Sequence, residues 1–400
     1  MAVSKTVTQC RLCQGDLTKV LDLGSQCIGS RFPKADEPDP PSVPLVLMRC
    51  KVCGLGQLSE SVNSSEFYDH FYGYRSGVNA TMRDHLRDLA RACVNLNPPK
   101  PGDVVLDVGC NDCTLLNCFA AVTSPSVELI GIDPLGEPSA GIKVINTLFD
   151  SRVYPSTRKA KIVTAIAMFY DLDDPVSFLK NIEAVMDDDG LLCIEVGYVG
   201  AMLEGAWDVI NHEHLCYYGI MQIIVALTNA GLLCCGAELN PMNGGTLRVY
   251  ATKAMGHPLP MENKSIRRLA LAEAEIDQLW KGFGERTAIN AEAISWAIAQ
   301  QRIRGVVGCL GASTKGNTLL QYFSPPTIDF CSERQPLKWG RVTPGTRIPI
   351  ISEEEARARN PAAFLVLPWS FRDEIIKRER DYINGGGKLI FPLPKLEVVE

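Results

Sequence analysis

Two histidines flank a glutamate at His212-Glu213-His214, inside a polar and aromatic run that begins Trp207-Asp208 and ends Tyr217-Tyr218. The whole chain of 400 residues has only five histidines, so two in one short cluster stand out. Imidazole titrates near neutrality and suits proton transfer. His-x-His could instead hold a metal, but no third ligand is evident beside it. A structural polar network is the remaining reading. Asn211 and Glu213 are polar neighbours in the same cluster and join it as catalytic candidates. Asp171 competes with His214 for the base role, because it closes the apolar run 162–168 at a strand end.

A second chemical stretch spans residues 102–133. An apolar run, 104–108, leads to Gly109, then to a segment of helical spacing, then to a second apolar run ending in Asp133. Strand, glycine turn, helix, strand and terminal acid make half of a doubly wound sheet. Glycine allows close approach to a ligand, and a carboxylate at the second strand's end can accept both hydroxyls of a ribose. The dinucleotide fingerprint needs further glycines, but Asn111 and Thr114 occupy those positions. The pattern Asp107-x-Gly109-Cys110-Asn111-Asp112 looks like the class I methyltransferases, which bind S-adenosylmethionine. Ligands of open α/β sheets lie at the carboxyl ends of strands. Asp150, after a short run at 144–148, and Met168-Phe169 are therefore further candidate cofactor contacts.

Cys10-x-x-Cys13 and Cys50-x-x-Cys53 are paired knuckles, each able to offer two thiolates from a tight turn. Four thiolates form a closed structural zinc site, which would fold a small domain and do no chemistry. A redox dithiol is the other reading, but no thioredoxin-like helix follows either pair. The chain has fifteen cysteines and a formal charge of −6. Modest negative charge argues against a nucleic-acid platform. No run approaches the roughly 18 apolar residues of a membrane span. Residues 1–9 lack an apolar signal core, so a cytoplasmic location is expected.

The elements that must position these groups follow in order. Residues 66–75 are aromatic-rich and contain His70. They form either a packed linker or a lid that points Tyr74, Arg75 and Ser76 into the cofactor cleft. Residues 80–97 read as an amphipathic helix, and 187–190 as a turn. After 191–196, which reads as a strand with Glu195 near its end, Asn243-Gly-Gly leads into another strand carrying Arg248. Residues 262–304 are largely helical. A second αβ unit then opens with Gly311-Ala-Ser313-Thr-Lys315-Gly-Asn317, where amides at a helix start and Lys315 would suit a phosphate. Short strands are expected at 328–330, 363–367 and 388–391.

Taken together these motifs resemble the S-adenosylmethionine-dependent C-methyltransferases of nucleotide-sugar pathways, such as TDP-hexose 3-C-methyltransferases. The resemblance covers nearly the whole chain and rests on the four cysteines, Tyr74-Arg-Ser, Asp107-x-Gly-x-Asn-Asp, His212-Glu-His214, Asn243-Gly-Gly-Thr-Leu-Arg248, Gly311-Ala-Ser-Thr-Lys-Gly-Asn and Pro344-Gly-Thr. It implies an α/β protein in three parts: a zinc-binding domain (1–75), a class I methyltransferase domain (76–252), and a helical connector with a Rossmann-like substrate domain (253–400). By resemblance His214 is the base that deprotonates carbon beside a 4-keto group, Glu213 orients it or holds the substrate, and Tyr74 touches substrate or cofactor. Arg75, Ser76, Asn243, Arg248, Ser313, Lys315 and Asn317 would meet the nucleotide sugar. The chain departs from many relatives at Asn211 (commonly Tyr), Asp171 (commonly His) and Cys113 (commonly Gly). A carboxylate must be desolvated to act as base near neutrality, and a cleft admitting a charged nucleotide disfavours that for Asp171. Rival readings are an O-methyltransferase on the same scaffold, a nicotinamide-dependent oxidoreductase and a non-catalytic nucleotide-binding scaffold. Oligomeric state is not legible in the sequence.

Overall fold

The computed structural model describes residues 3–63, 66–67, 75–256, 264–323 and 327–400. The N-terminal part holds β1 (Ser4–Thr6), β2 (Leu17–Cys27), β3 (Ser42–Cys50), β4 (Gly56–Leu58) and β5 (Glu60–Val62). The central part runs through α1 (Ala80–Leu96), β6 (Val104–Val108), α2 (Thr114–Ala120), β7 (Glu128–Ile132), β8 (Ile142–Ile145), β9 (Ala160–Ile166), α3 (Pro175–Val185), β10 (Met186–Gly197), α4 (Val199–Leu203), β11 (Cys216–Tyr217), α5 (Ile220–Asn229), β12 (Leu232–Asn240) and β13 (Thr246–Lys253). The rest comprises α6 (Lys264–Ile276), α7 (Phe283–Arg302), β14 (Val307–Leu310), α8 (Thr314–Phe323), β15 (Phe330–Glu333), β16 (Ile350–Ser352), α9 (Glu353–Ala358), β17 (Ala363–Val366), α10 (Arg372–Arg378), α11 (Arg380–Asn384), β18 (Lys388–Phe391) and β19 (Glu397–Val399).

The central sheet has the order β12-β13-β10-β9-β6-β7-β8. From β8 to β10 all pairs are parallel, whereas β13 runs antiparallel between β10 and β12. Every residue of β6 is buried, as expected for a strand covered on both faces. The order reverses between β6 and β9, so a crevice opens beyond their carboxyl ends. The antiparallel β13 sets this sheet apart from an all-parallel dinucleotide fold. Helix α1 covers one face with Met82, Leu86, Leu89, Ala90 and Cys93, at helical spacing, and Asn79 caps its start. Helix α3 opens with the cap Asp174 and with Pro175 in its first turn, where a missing N–H costs nothing.

The C-terminal sheet, β16-β15-β14-β17-β18-β19, is parallel except for its last strand. Its own order reverses at β14 and β17, beside the Gly311 turn. The four-stranded N-terminal sheet has the order β11-β4-β3-β2. Strand β11 comes from the central part, directly after His214, and pairs Cys216 with Gln57.

Local expectations need four corrections, the first being that the short strand expected at 328–330 lies later, as β15. Residues 187–190 belong to β10, with a register shift between Met186 and Leu191, and are not a free turn. The expected short run at 144–148 is the strand β8, earlier by two residues at its start. The edge strand β19 carried no periodic signal; its pairing with β18 makes it a strand. Among the described residues no helix is long and apolar enough to cross a membrane.

Candidate active site

A cavity of about 630 Å³ lies at the reversal point of the central sheet. Gly109 leaves β6 with φ +82°, and a Cβ there would stand 3.0 Å from Met168 Cγ. Asp133, at the end of β7, accepts hydrogen bonds from Asn111 N (3.0 Å) and Leu135 N (2.7 Å). Those bonds fix its carboxylate at the cavity wall. Asp107, Gly109, Cys110, Asn111, Asp150 and Met168 also line the space, as the sequence pattern anticipates. Phe169 does not: it is fully buried and packs on Phe178 and Tyr218, so it belongs to the core. Ser76 lines the cavity and donates its amide to Asn111 Oδ1, while Arg75 pairs with Glu137 on the outer side. Tyr74 and His70 fall outside the described residues.

The wall chemistry identifies the ligand charge. Among the lining residues are seven carboxylic acids, Asp107, Asp133, Asp150, Asp171, Asp173, Asp174 and Glu195, against one cation, Lys5. Burial pushes the Asp107 carboxyl up to about 7; a hydrogen bond from Thr164 (2.6 Å) opposes this and the nearby Asp133 adds to it. An acidic cavity with a shaped glycine turn fits S-adenosylmethionine, which carries a cationic sulfur and an ammonium. Asp133 would hold its ribose, and Asp107 and Gly109 would shape the methionine pocket. Asp107 should be half-protonated near pH 7 in the free protein. A cationic ligand favours its ionised form, so binding should release a proton there. Affinity for S-adenosylmethionine should therefore rise between pH 6 and 8, roughly tenfold per unit at most. Affinity for the uncharged sulfur of S-adenosylhomocysteine should rise less. Calorimetry in buffers of different ionisation enthalpy checks this; equal proton release for both ligands would overturn it.

The histidine cluster lies beside the same cavity without lining it: Leu215, next to His214, and Asp171 and Asn243 are in the wall, whereas Asn211, His212, Glu213, His214 and Lys315 are not. His214 Nδ1 lies 2.8 Å from Val209 O, so this nitrogen carries the proton and Nε2 keeps its lone pair. Burial, and then the Lys315 ammonium, hold the imidazole down to about 3, so it stays neutral at physiological pH. Its ring stands 4.3 Å from that of Tyr170. Asn211 is buried and both ends of its amide shape the loop: Nδ2 donates to Val209 O (3.1 Å), and Oδ1 accepts from Glu213 N (3.0 Å). His212 has a different task. It is buried, its Nε2 lies 3.0 Å from Val43 O, and desolvation lowers it to about 4. It pins the loop to the N-terminal sheet.

Asp171 departs from the physical argument made on sequence. Burial, reinforced by the charge of Glu213, raises its carboxyl well above the usual carboxylate range. Burial also raises Glu213, with the Ser30 hydroxyl partly opposing it. Asp171 Oδ1, Asp208 Oδ1 and Glu213 Oε1 are buried and have no hydrogen-bond partner among the described residues. Buried polar atoms are normally satisfied, so three such oxygens around one loop mark a place prepared for a polar ligand.

Lys315 reaches this loop from the C-terminal sheet. Its Nζ donates to Asn243 O (3.1 Å), and burial lowers its pKa while Asp208 opposes the shift. The Asn243 carbonyl is aimed by a left-handed residue (φ +53°) in a turn packed against Trp369, whose Nε1 donates to Asp208 Oδ2 (2.7 Å). The phosphate cradle expected at α8 is not open at Gly316 and Asn317. The Gly316 amide donates to Ser313 Oγ (3.0 Å) and the Asn317 amide to Ser313 O (2.9 Å). Asn317 is fully buried, and its Nδ2 donates to Gly29 O (2.6 Å), joining the first and last domains. Arg248 is also occupied. It lies across the sheet from Glu195 and pairs with it at 2.8 Å, with Glu238 at 3.1 Å, and with His85 Nε2 at 3.3 Å. It does not line the cavity, and its neighbours make it a structural cation.

Residues that the sequence did not single out complete the pocket. Lys5, Ser61 and Asn63 line it from the N-terminal domain. Arg11, between the first two cysteines, is buried and donates to Leu58 O (2.7 Å), Ser61 Oγ (2.7 Å) and Asp173 Oδ1 (3.0 Å). Only the long-range pairing of a knuckle with the loop after Asp171 reveals these roles. The knuckles themselves meet: the Sγ atoms of Cys10, Cys13, Cys50 and Cys53 all lie within 4.8 Å of one another, with Cys10–Cys53 and Cys13–Cys50 at 3.5 Å. A tetrahedral shell with Zn–S near 2.3 Å requires sulfurs roughly 3.8 Å apart. The four thiols therefore fit a zinc ion.

Comparison with known proteins agrees with this geometry. Three family models match in series: a zinc binding domain over residues 10–68, a methyltransferase domain over 74–234, and a C-methyltransferase C-terminal domain over 241–394. The C-methyltransferase NovU of Streptomyces niveus is 28% identical over 99% of this chain and 98% of its own length. Among solved structures, the plantazolicin methyltransferase BpumL in complex with SAH matches 44% of this chain and 86% of its own (TM-score 0.36, 12% identity). The CcbJ methyltransferase of Streptomyces caelestis matches 42% and 89% (TM-score 0.32, 10% identity). The acidic crevice, the four-thiol cluster and three domain matches along one chain give this protein a zinc-binding N-terminal domain, an S-adenosylmethionine-dependent methyltransferase domain and the C-terminal domain of C-methyltransferases.

Proposed function

We propose that this enzyme methylates carbon beside the ketone of a nucleotide-linked 4-keto-deoxysugar. The observation that carries the reading is the grouping of His214, Lys315 and three unpartnered carboxylate oxygens beside the cofactor cavity, with Asp171 of that group in its wall. Polyhydroxylated ligands offer the donors that such oxygens lack. NovU, similar along its whole length, is named a C-methyltransferase, which fits carbon as the acceptor.

When bound, S-adenosylmethionine supplies a methyl group on a cationic sulfur. The protein's share is to make the acceptor carbon nucleophilic. His214 Nε2 takes the proton from the carbon next to the ketone, and the electron pair moves onto the carbonyl oxygen as an enolate. Val209 O keeps the tautomer that leaves Nε2 free. Lys315, facing this loop from the other sheet, stabilises the enolate oxygen. The nucleotide extends from the sugar toward the C-terminal sheet.

Incubation with methyl-labelled cofactor and a panel of nucleotide 4-ketosugars tests the proposal, with the label located by mass spectrometry and NMR. Label on oxygen, or on no ketosugar of the panel, would overturn it. Lys315→Ala should lower kcat by roughly 10²–10³, as for loss of one oxyanion donor, with affinity for S-adenosylhomocysteine unchanged. A rise in KM alone would instead assign Lys315 to ground-state binding of the diphosphate.

A further inference from the structure

The turn that follows β9 sends successive side chains to different places. Ala167 enters it with φ +54°, in the left-handed region that a residue with a Cβ rarely adopts. Strained positions of this kind cluster at active sites. Phe169 then packs into the core on Phe178 and Tyr218, and Asp171 stands in the cavity wall. Tyr170, between them, meets the histidine loop. Its ring centroid lies 4.3 Å from that of His214, with the two planes at 56°. Tyr170 does not line the cofactor cavity.

This contact bears on the moment when the base is loaded. On taking a proton at Nε2, with Nδ1 still bonded to Val209 O, His214 becomes an imidazolium. Burial and the Lys315 ammonium oppose that charge, and the Val209 carbonyl favours it. Among the described residues the ring hydrogen-bonds Val209 O and no carboxylate. Burial also favours the neutral forms of Glu213 and Asp171, so these acids supply little compensating charge. An aromatic face does attract a cation within about 6 Å of its centroid, most strongly where water is excluded.

We propose that Tyr170 is a positioning residue for the base: its ring fixes the plane of the His214 imidazole and steadies the imidazolium formed as the acceptor C–H bond breaks. The inference rests on the reading of His214 as the base. One hydrogen bond to Val209 O leaves the imidazole able to tilt. Packing by Tyr170 removes that freedom, so Nε2 keeps one direction toward the proton it takes. The neutral ring gains a packing contact, and the protonated ring gains attraction to the aromatic face as well. The contact is therefore stronger in the transition state than in the ground state, and its loss should fall on kcat.

Steady-state kinetics and deuterium exchange at the substrate's α C–H test the inference. Tyr170→Leu, Tyr170→Phe and His214→Ala are compared with wild type on nucleotide 4-ketosugars, at a temperature where circular dichroism shows every variant folded. Tyr170→Leu should lower kcat and the exchange rate together by roughly thirtyfold, the size of a desolvated cation–π contact. Its KM for the ketosugar and its affinity for S-adenosylhomocysteine should match wild type. Tyr170→Phe keeps the ring and should stay within roughly threefold of wild type. Wild-type kcat in Tyr170→Leu would overturn the inference, and so would a loss confined to KM or to cofactor affinity. Tyr170→Phe as slow as Tyr170→Leu would also overturn it, by assigning the effect to the hydroxyl. Full exchange in His214→Ala would remove the base reading itself, and this role for Tyr170 with it. A wild type that turns over no ketosugar would do the same. Loss of exchange in His214→Ala with full exchange in Tyr170→Leu would leave the base in place and strike the tyrosine alone.

Discussion

His214→Ala should abolish methyl transfer and, in the same protein, stop exchange of the substrate's α C–H with solvent deuterium. The rate loss should be at least the roughly 10²–10⁴-fold that a positioned base supplies. Two groups face this task. His214 is neutral at all physiological pH, with Nδ1 held by Val209 O and Nε2 open. The burial and the Lys315 charge that keep it neutral also weaken it as a base. An enolate forming beside Lys315 offsets that charge as the proton moves, so basicity returns when it is needed. Asp171 is the competitor, and a stronger one than its sequence context indicates, because burial raises its carboxyl well above the usual range. The pH profile separates them. A base lowered to about 3 gives no acid limb between pH 6 and 8. A carboxyl raised well above its usual range would lose rate as pH falls through its own pKa, where protonation removes the base. Deuterium exchange at the wild-type rate in His214→Ala, with exchange lost in Asp171→Asn, would move the base to Asp171. His212→Ala should leave exchange chemistry in place and lower the stability of the loop, since its ring bonds Val43 O and faces no ligand.

Removing the metal should be as damaging to turnover as removing the base, although the four-thiol site makes no contact with reacting atoms. One zinc per chain is expected by elemental analysis, and Cys10→Ser should lose it. Structural zinc contributes on the order of 10 kcal/mol to the folding of small zinc domains, so the N-terminal sheet should open. Three links carry that opening to the catalytic loop. Strand β4, which follows Cys53, holds β11 directly after His214. Val43 O in β3 holds His212. Arg11, between Cys10 and Cys13, holds Asp173, whose carboxyl is raised by burial yet drawn below its usual range by Ser61 and Arg11. The expected results are rapid hydrogen exchange in residues 10–62 and loss of methyl transfer. The melting transition of the C-terminal sheet should be retained. Zinc at full content in Cys10→Ser, or a zinc-free protein with normal turnover, would refute the coupling.

Much of this protein was legible from local pattern. Asp107-x-Gly109 and the acid at 133 announced strand, turn, helix and strand, because apolar period and glycine placement are properties of a few adjacent residues. The paired Cys-x-x-Cys knuckles announced a metal cluster for the same reason, and the structure brings their four sulfurs together. What the sequence left open was which distant groups share a partner. Arg248 was readable as a ligand contact until β10 and β12 set Glu195 and Glu238 on either side of it. Asn317 and the amides of α8 were readable as a phosphate site until Gly29 O and Ser313 used them. Asp171 was readable as an ordinary carboxylate because desolvation depends on what packs around a group, and spacing along the chain does not report it. The divided roles of His212 and His214 are the sharpest case. Two residues apart, one is spent on a carbonyl of the first domain and the other keeps a free nitrogen, because the loop between them is pinned from two sides by chain more than 150 residues away.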